Sequence, residues 1–171
     1  MMKRISIAVL MLILASLLLV AGCATESETQ ESQIGNPAPE FNLLGLDGDY
    51  TSLNSFRGKP VLLYFWATWC ESCRTEMLYF QQIYDEWTDK GLVLLTINVG
   101  ESLAIAEDFA EETGITMPVL VDHSMVTHKR YQITGMPTTY LIDKDGIIKD
   151  IRVGSFPDKQ TIEQNLSKIM P

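Results

Sequence analysis

Residues 61–76 read VLLYFWATWCESCRTE. Apolar residues that favour a β-strand lead directly to two cysteines, Cys70 and Cys73, with two residues between them. Apolar and aromatic residues then recur every three or four positions, as in a helix with one buried face, at Met77, Phe80, Ile83, Tyr84 and Trp87. The sequence therefore predicts a buried strand followed by an amphipathic helix, with both cysteines at the start of the helix.

The predicted position of the cysteines has a chemical consequence. Unpaired N–H groups and the positive end of the helix dipole favour a thiolate over a thiol. In such settings the cysteine pKa falls from about 8.5 to roughly 3.5–7.5. A thiolate attacks disulfides, and a second cysteine nearby can resolve the mixed disulfide. This pattern predicts a redox-active pair with Cys70 as the nucleophile and Cys73 as the resolving cysteine.

Several separated segments resemble those of one known family. WATWCESCRTE at residues 66–76 resembles the active-site segment of the thioredoxin superfamily, and in particular of the membrane-anchored ResA/TlpA-like thiol–disulfide oxidoreductases. The segments GNPAPEF at 35–41, NVGES at 98–102 and GMPTT at 135–139 extend the similarity from about residue 34 to the C-terminus. The resemblance implies an α/β thioredoxin-like fold, with an N-terminal β-hairpin and a central helix–strand insertion.

The order of predicted elements agrees with that fold. A hairpin is expected around Asp47-Gly48, and a second one around Lys144-Asp145-Gly146. The helix–strand unit over Ser102–Val121 resembles the insertion of the ResA/TlpA group. Ser102 is a predicted N-cap of its helix, and Asp158 is predicted to cap the terminal helix.

Glu76 is the predicted acid/base residue. It follows Cys73 by three positions, so both side chains project from nearly the same face of the helix. A carboxylate there could exchange the proton that the reaction requires, and its charge would raise the pKa of the thiols. The resemblance implies a functional glutamate at this point, whereas the alternative is an ordinary solvated glutamate on an exposed helix face.

The resemblance also implies residues that contact the substrate. Met136–Pro137 is expected to be a cis peptide bond beside the cysteines, where the backbone aligns an extended substrate chain. The alternative is a proline that merely begins a strand. Trp69 is expected to shape the contact surface, and Trp66 to pack in the core. Ser72 stands where the family often has proline, at a position that tunes the redox potential.

The N-terminal segment has the layout of a secretory signal. Lys3 and Arg4 precede an apolar run that is short for a bilayer-spanning helix of about 20 residues. The run ends in VAGC at residues 20–23, which resembles a lipobox and implies that residues 1–22 are removed and Cys23 is lipidated. The alternative is an uncleaved signal anchor with an incidental cysteine.

The stretch after Cys23 is polar and acidic. We interpret residues 23–34 as a flexible tether, which leaves residues 35–171 as the thioredoxin-like domain. The chain has 171 residues, enough for one domain and a tail, and its net charge of −9 disfavours nucleic-acid binding. We expect a monomer with no cofactor beyond the Cys70–Cys73 disulfide.

A zinc site is the alternative for the cysteine pair, because His123 and His128 add two potential ligands to it. The histidines lie far from the cysteines along the chain, unlike the spacing of a zinc finger. The strand–helix context already accounts for Cys70 and Cys73. No metal is therefore expected.

Together these features predict a lipid-anchored oxidoreductase on the extracytoplasmic or periplasmic side of a bacterial membrane. The resemblance implies that it reduces protein disulfides, above all those of apocytochrome c, and receives electrons from a membrane thiol-transfer protein of the CcdA or DsbD type. The alternatives are a general envelope reductase or isomerase, a peroxiredoxin-type peroxidase and a lipoprotein that only docks partners. Residues 38–41 are shared with peroxiredoxins, but the P-x-x-x-T-x-x-C pattern of that chemistry fails before Cys70.

Overall fold

The computed structural model describes residues 32–170. The predicted signal segment, Cys23 and most of the predicted tether lie outside this range. The strands are β1 Asn42–Gly45, β2 Tyr50–Ser52, β3 Val61–Trp66, β4 Val93–Val99, β5 Val119–Asp122, β6 Thr138–Ile142 and β7 Ile148–Val153. The helices are α1 Glu71–Trp87, α2 Leu103–Thr113, α3 Val126–Arg130 and α4 Lys159–Leu166, with short 3-10 turns at Leu53–Phe56 and Thr88–Lys90.

All seven strands form one sheet in the order β2-β1-β5-β4-β3-β6-β7. Strand β3 pairs in parallel with β4, and β4 pairs in parallel with β5. The remaining pairs are antiparallel. The predicted thioredoxin-like fold, with an N-terminal hairpin and the α2–β5 insertion, is confirmed.

Each face of the sheet carries a hydrophobic cluster. Every residue of β3 is buried, as its continuous apolar sequence predicts for a central strand. Alternate residues point to opposite faces, so Leu62 and Tyr64 join the cluster covered by α1, α2 and α4, while Leu63 and Phe65 join the other. The Trp66 ring lies 4.8 Å from that of Phe109 on α2, which confirms its predicted place in the core.

The predicted helix ends are confirmed by their capping contacts. The hydroxyl of Ser102 accepts a hydrogen bond from the Ile105 N–H at the start of α2, and Asp158 caps α4 in the same way. The regular part of α1 ends at Trp87. A 3-10 turn carries the chain on to Gly91, whose left-handed backbone favours glycine.

The two outer strands of the sheet are short or irregular. Strand β2 has three residues, and the pairing of β7 with β6 shifts register near Ile142. The first part of β7 is also covered, because the Gly35 N–H donates to the Ile148 carbonyl and the Ile148 N–H donates to the Asn36 carbonyl.

Ser32, in the predicted tether, is buried. The chain reaches β7 at Gly35, the first residue of the predicted domain, whose N–H donates to the Ile148 carbonyl. Within residues 32–170, no helix combines the length and the apolar character needed to cross a bilayer.

Candidate active site

Three segments meet at one end of the sheet. Strands β3 and β4 are parallel, so the loops that follow them lie side by side. Strand β6 runs the other way and begins with Thr138 opposite Phe65, near the end of β3. The loop that leads to Cys70, the loop that contains Glu101 and the Met136–Pro137 turn are therefore neighbours.

The two cysteines lie at the start of α1 and are joined by a disulfide, with their Cα atoms 5.2 Å apart. Cys70 is the N-cap residue, and its sulfur accepts a hydrogen bond from the Cys73 N–H at 3.2 Å. Cys73 is fully buried, whereas 7% of Cys70 is exposed. The hydroxyl of Ser72 is 3.5 Å from the Cys70 sulfur. This geometry fits the predicted order of reaction, in which Cys70 is the first of the two cysteines to react with the disulfide of another protein.

Glu76 is buried, with 1% of its surface exposed. Its Oε1 accepts a hydrogen bond from the Phe156 backbone N–H at 2.5 Å. The other carboxylate oxygen, Oε2, is buried as well. The alternative of a solvated glutamate is therefore wrong: the helix face that carries Glu76 packs against the segment that follows β7.

Burial is the main influence on the acidity of this carboxyl. It raises the pKa of Glu76 to about 7, against the opposing effects of the Phe156 N–H, the nearby Tyr64 hydroxyl and the Arg152 charge. Burial and the same carboxylate raise the pKa of Tyr64. The Tyr64 hydroxyl donates to the Cys73 carbonyl at 3.3 Å, which links Tyr64 to the turn that bears the resolving cysteine.

Sequence reasoning assigned no role to Glu101, which organises the loop before Cys70. Its carboxylate accepts hydrogen bonds from the Thr68 N–H at 2.8 Å, the Thr68 hydroxyl at 2.5 Å and the Asn98 amide at 2.6 Å. Glu101 lies in the NVGES segment that carries the family resemblance. That segment was the available signal, but the contacts to Thr68 cross 33 positions of the chain.

The predicted substrate-contact residues lie in the loop before α1 and in the turn before β6. The Met136–Pro137 peptide bond is cis, as predicted, and Met136 packs against both hydrophobic clusters. Trp69, next to Cys70, is 70% exposed. The exposed Trp69 indole is available for contact with another protein chain.

The histidines of the zinc alternative lie elsewhere. His123 follows β5, and its Nδ1 lies 3.1 Å from the Glu101 carbonyl oxygen, while His128 belongs to α3. The sulfurs of Cys70 and Cys73 are bonded to each other. In residues 32–170 there is no group of three or more side chains arranged to hold a metal ion.

The disulfide at the start of α1 and the buried carboxyl on the same helix suit thiol–disulfide exchange. The class of protein that this fold and site define is a thiol–disulfide oxidoreductase of thioredoxin-like fold. Residues 34–151 match the AhpC/TSA family. The chain belongs to this family and, within the thioredoxin superfamily, to the ResA-like thiol–disulfide oxidoreductases.

Three similar proteins illustrate the relationship. The thiol-disulfide oxidoreductase ResA of Geobacillus kaustophilus is 37% identical over 96% of this chain and 94% of its own length. The crystal structure of a thiol:disulfide interchange protein of the thioredoxin family from Chlorobium tepidum has a TM-score of 0.69 and 29% identity, covering 77% of this chain and 93% of that one. The exposed lipoprotein thioredoxin Etrx1 of Streptococcus pneumoniae has a TM-score of 0.69 and 31% identity, covering 77% of this chain and 100% of that one.

Proposed function

We propose that this oxidoreductase is a reductase of protein disulfides, anchored by a lipid on Cys23 to the extracytoplasmic or periplasmic face of a bacterial membrane. We further propose that apocytochrome c, in the maturation of cytochrome c, is among its substrates. The observation that carries the reductase chemistry is the buried carboxyl of Glu76, three positions from Cys73 on the same helix.

The reaction begins with the reduced pair. The Cys70 thiolate attacks one sulfur of a partner disulfide, forms a mixed disulfide and releases the other partner sulfur as a thiolate. The Cys73 thiolate then attacks the Cys70 sulfur, which re-forms the Cys70–Cys73 disulfide and frees the second partner thiol. Two electrons pass to the partner, and this protein ends in the disulfide form described above.

Glu76 is the proposed acceptor of the Cys73 thiol proton. The resolving thiol is fully buried, so it must lose its proton without direct contact with water. A general base works best when its pKa lies near the operating pH, and the pKa of Glu76 is about 7 because the carboxyl is buried. The carboxylate takes up the Cys73 proton as the mixed disulfide resolves.

Re-reduction of the Cys70–Cys73 disulfide requires two electrons from another molecule. Extracytoplasmic compartments lack the thiol pool of the cytoplasm, so a membrane thiol-transfer protein of the CcdA or DsbD type is the proposed donor. The VAGC sequence ending at Cys23 supports the lipid anchor. A structural relative that is itself an exposed lipoprotein thioredoxin lends further support.

A trapping experiment tests this function. The full chain carrying Cys73→Ala is expressed in its native host, where Cys70 should accumulate mixed disulfides with its substrates. Proteins released by a reductant are identified by mass spectrometry, and Cys70→Ala,Cys73→Ala serves as the matched control. Recovery of apocytochromes with a C-x-x-C-H sequence is expected.

Other outcomes distinguish the alternatives. A set of secreted proteins without C-x-x-C-H would exclude apocytochrome c as the substrate and favour a general envelope reductase or isomerase. Full complementation by the double variant would favour a docking lipoprotein. Rapid peroxide consumption by the reduced protein would favour a peroxidase. Separately, Cys23→Ser should release the protein from the membrane fraction, and retention would contradict the lipid anchor.

A further inference from the structure

Three polar side chains lie in a row on the sheet face beneath α1. Tyr64 on β3 is directly opposite Thr139 on β6, and Thr139 is directly opposite Arg152 on β7. Directly opposed residues on neighbouring strands share one face of a sheet. Tyr64 belongs to the hydrophobic cluster under α1, so all three side chains point toward the helix that carries Glu76.

Arg152, at the outer end of this row, fixes the segment that follows β7. Its Nε and Nη2 both donate to the Ser155 carbonyl, at 3.2 and 2.8 Å. Its guanidinium also lies 4.5 Å from the centre of the Phe156 ring, a cation–π distance. One arginine therefore holds the backbone of Ser155 and the side chain of Phe156.

This segment is the one that contacts Glu76. The Phe156 N–H donates to Glu76 Oε1, so the residue clamped by Arg152 contacts that carboxylate directly. The Arg152 charge also acts on the carboxylate directly, since it lowers the pKa of Glu76 against the larger effect of burial.

Few other charged or titratable groups face this carboxylate. Tyr64 approaches from β3, and Cys70 and Cys73 lie on α1 itself. Lys159 of α4, which packs against α1, is engaged elsewhere: its Nζ binds Glu86 at 2.6 Å and Glu163 at 3.3 Å. Arg152 is thus the cation that acts on Glu76.

We propose that Arg152 is a positioning residue for Glu76. It holds Ser155 and Phe156 so that the Phe156 N–H meets the carboxylate, and its positive charge favours the ionised form that accepts a proton. The catalytic consequence rests on the proton-carrier role proposed above for Glu76, but the link from Arg152 through Phe156 to Glu76 does not. Arg152 thereby lowers the pH at which the buried carboxylate becomes a base, against the larger effect of burial.

The direct test follows the Glu76 carboxyl in the oxidised protein, where the cysteines do not titrate. The side-chain carboxyl carbons of glutamate are labelled with ¹³C, and the signal absent from Glu76→Gln is titrated from pH 5 to 9 by NMR. In Arg152→Gln the midpoint should rise by roughly half a pH unit or more, because a cation is lost beside a buried acid. Arg152→Lys keeps the charge and should show a smaller rise. Arg57→Gln is the matched control, since Arg57 binds the Asp145 carbonyl away from α1, and it should show no change.

A midpoint in Arg152→Gln equal to that of the wild type would overturn the proposal. If Arg152→Gln does not fold, the test is made on the wild-type protein. The ¹⁵N chemical shifts of Arg152 Nε and of the Phe156 amide should then change with pH at the same midpoint as the Glu76 carboxyl. An Arg152 signal that stays constant through this range contradicts the proposal.

Stopped-flow reduction of an aromatic disulfide by the reduced variants, over the same pH range, separates this inference from the proposed function. If Glu76→Gln leaves the pH–rate profile unchanged, the proton-carrier role of Glu76 fails. The effect of Arg152 on the Glu76 pKa is still tested by the NMR titration. If Glu76→Gln changes the profile and Arg152→Gln does not shift it, the role of Glu76 stands and that of Arg152 fails.

Discussion

Glu76 makes the stability of the oxidised protein depend on pH. Its pKa is about 7 in the folded protein because the carboxyl is buried, above its ordinary value in an unfolded chain. A raised pKa means that the folded state holds the proton more tightly, so the related stability is present below about pH 4.5 and is lost as the pH rises through 7.

We therefore predict that Glu76→Gln becomes more stable relative to the wild type as the pH rises from 4.5 to 8. The relative gain should approach about 3 kcal/mol, since each pKa unit corresponds to roughly 1.4 kcal/mol. The glutamine oxygen can still accept the Phe156 N–H, so that contact is retained. Urea unfolding of both oxidised proteins at several pH values measures the effect, and a difference independent of pH would contradict it.

The loop between β3 and α1 depends on one residue from another element. Glu101 accepts two hydrogen bonds from Thr68 and one from Asn98. Removal of the carboxylate leaves the buried Asn98 amide and the two half-buried Thr68 donors without this partner, and a buried donor left unpaired costs about 1–3 kcal/mol.

We predict that Glu101→Ala lowers the free energy of unfolding by roughly 2–4 kcal/mol and slows attack by Cys70, because the loop before it loses its support. Glu112→Ala, on the exposed side of α2, is the control and should stay within about 0.5 kcal/mol of the wild type. Chemical denaturation and stopped-flow reduction of a small disulfide check the two effects. Equal stability of the two variants would show that the network adds nothing.

A feature could be predicted from the sequence when the residues that determine it are close together along the chain. The buried strand at residues 61–66, the cap at Ser102 and the helix start at Cys70 depend on adjacent residues, so local chemistry was sufficient. The burial of Glu76 depends on Phe156, 80 positions later, and Glu101 reaches back 33 positions to Thr68. A periodic pattern places Glu76 on a helix face, but it does not say which segment covers that face.

Residues 32–170 are built on one sheet, so the two hydrophobic clusters on its faces should unfold together. Leu62 and Leu63 are adjacent, fully buried and on opposite faces. We predict that Leu62→Ala and Leu63→Ala each lower the free energy of unfolding by about 2–5 kcal/mol. In each variant, far-UV and near-UV circular dichroism should report the same midpoint, as a single cooperative transition requires. Separate midpoints would mean that one face unfolds independently.

The short and irregular outer strands also govern how copies of the protein behave when crowded together. An open strand edge can pair with the edge of another molecule and begin aggregation. Here one edge has three residues, and the other is partly covered by Gly35 and Asn36 and loses its regular register near Ile142. Neither edge strand is both long and regular. We therefore expect molecules of this protein to stay separate at high local concentration and not to pair edge to edge into fibrils.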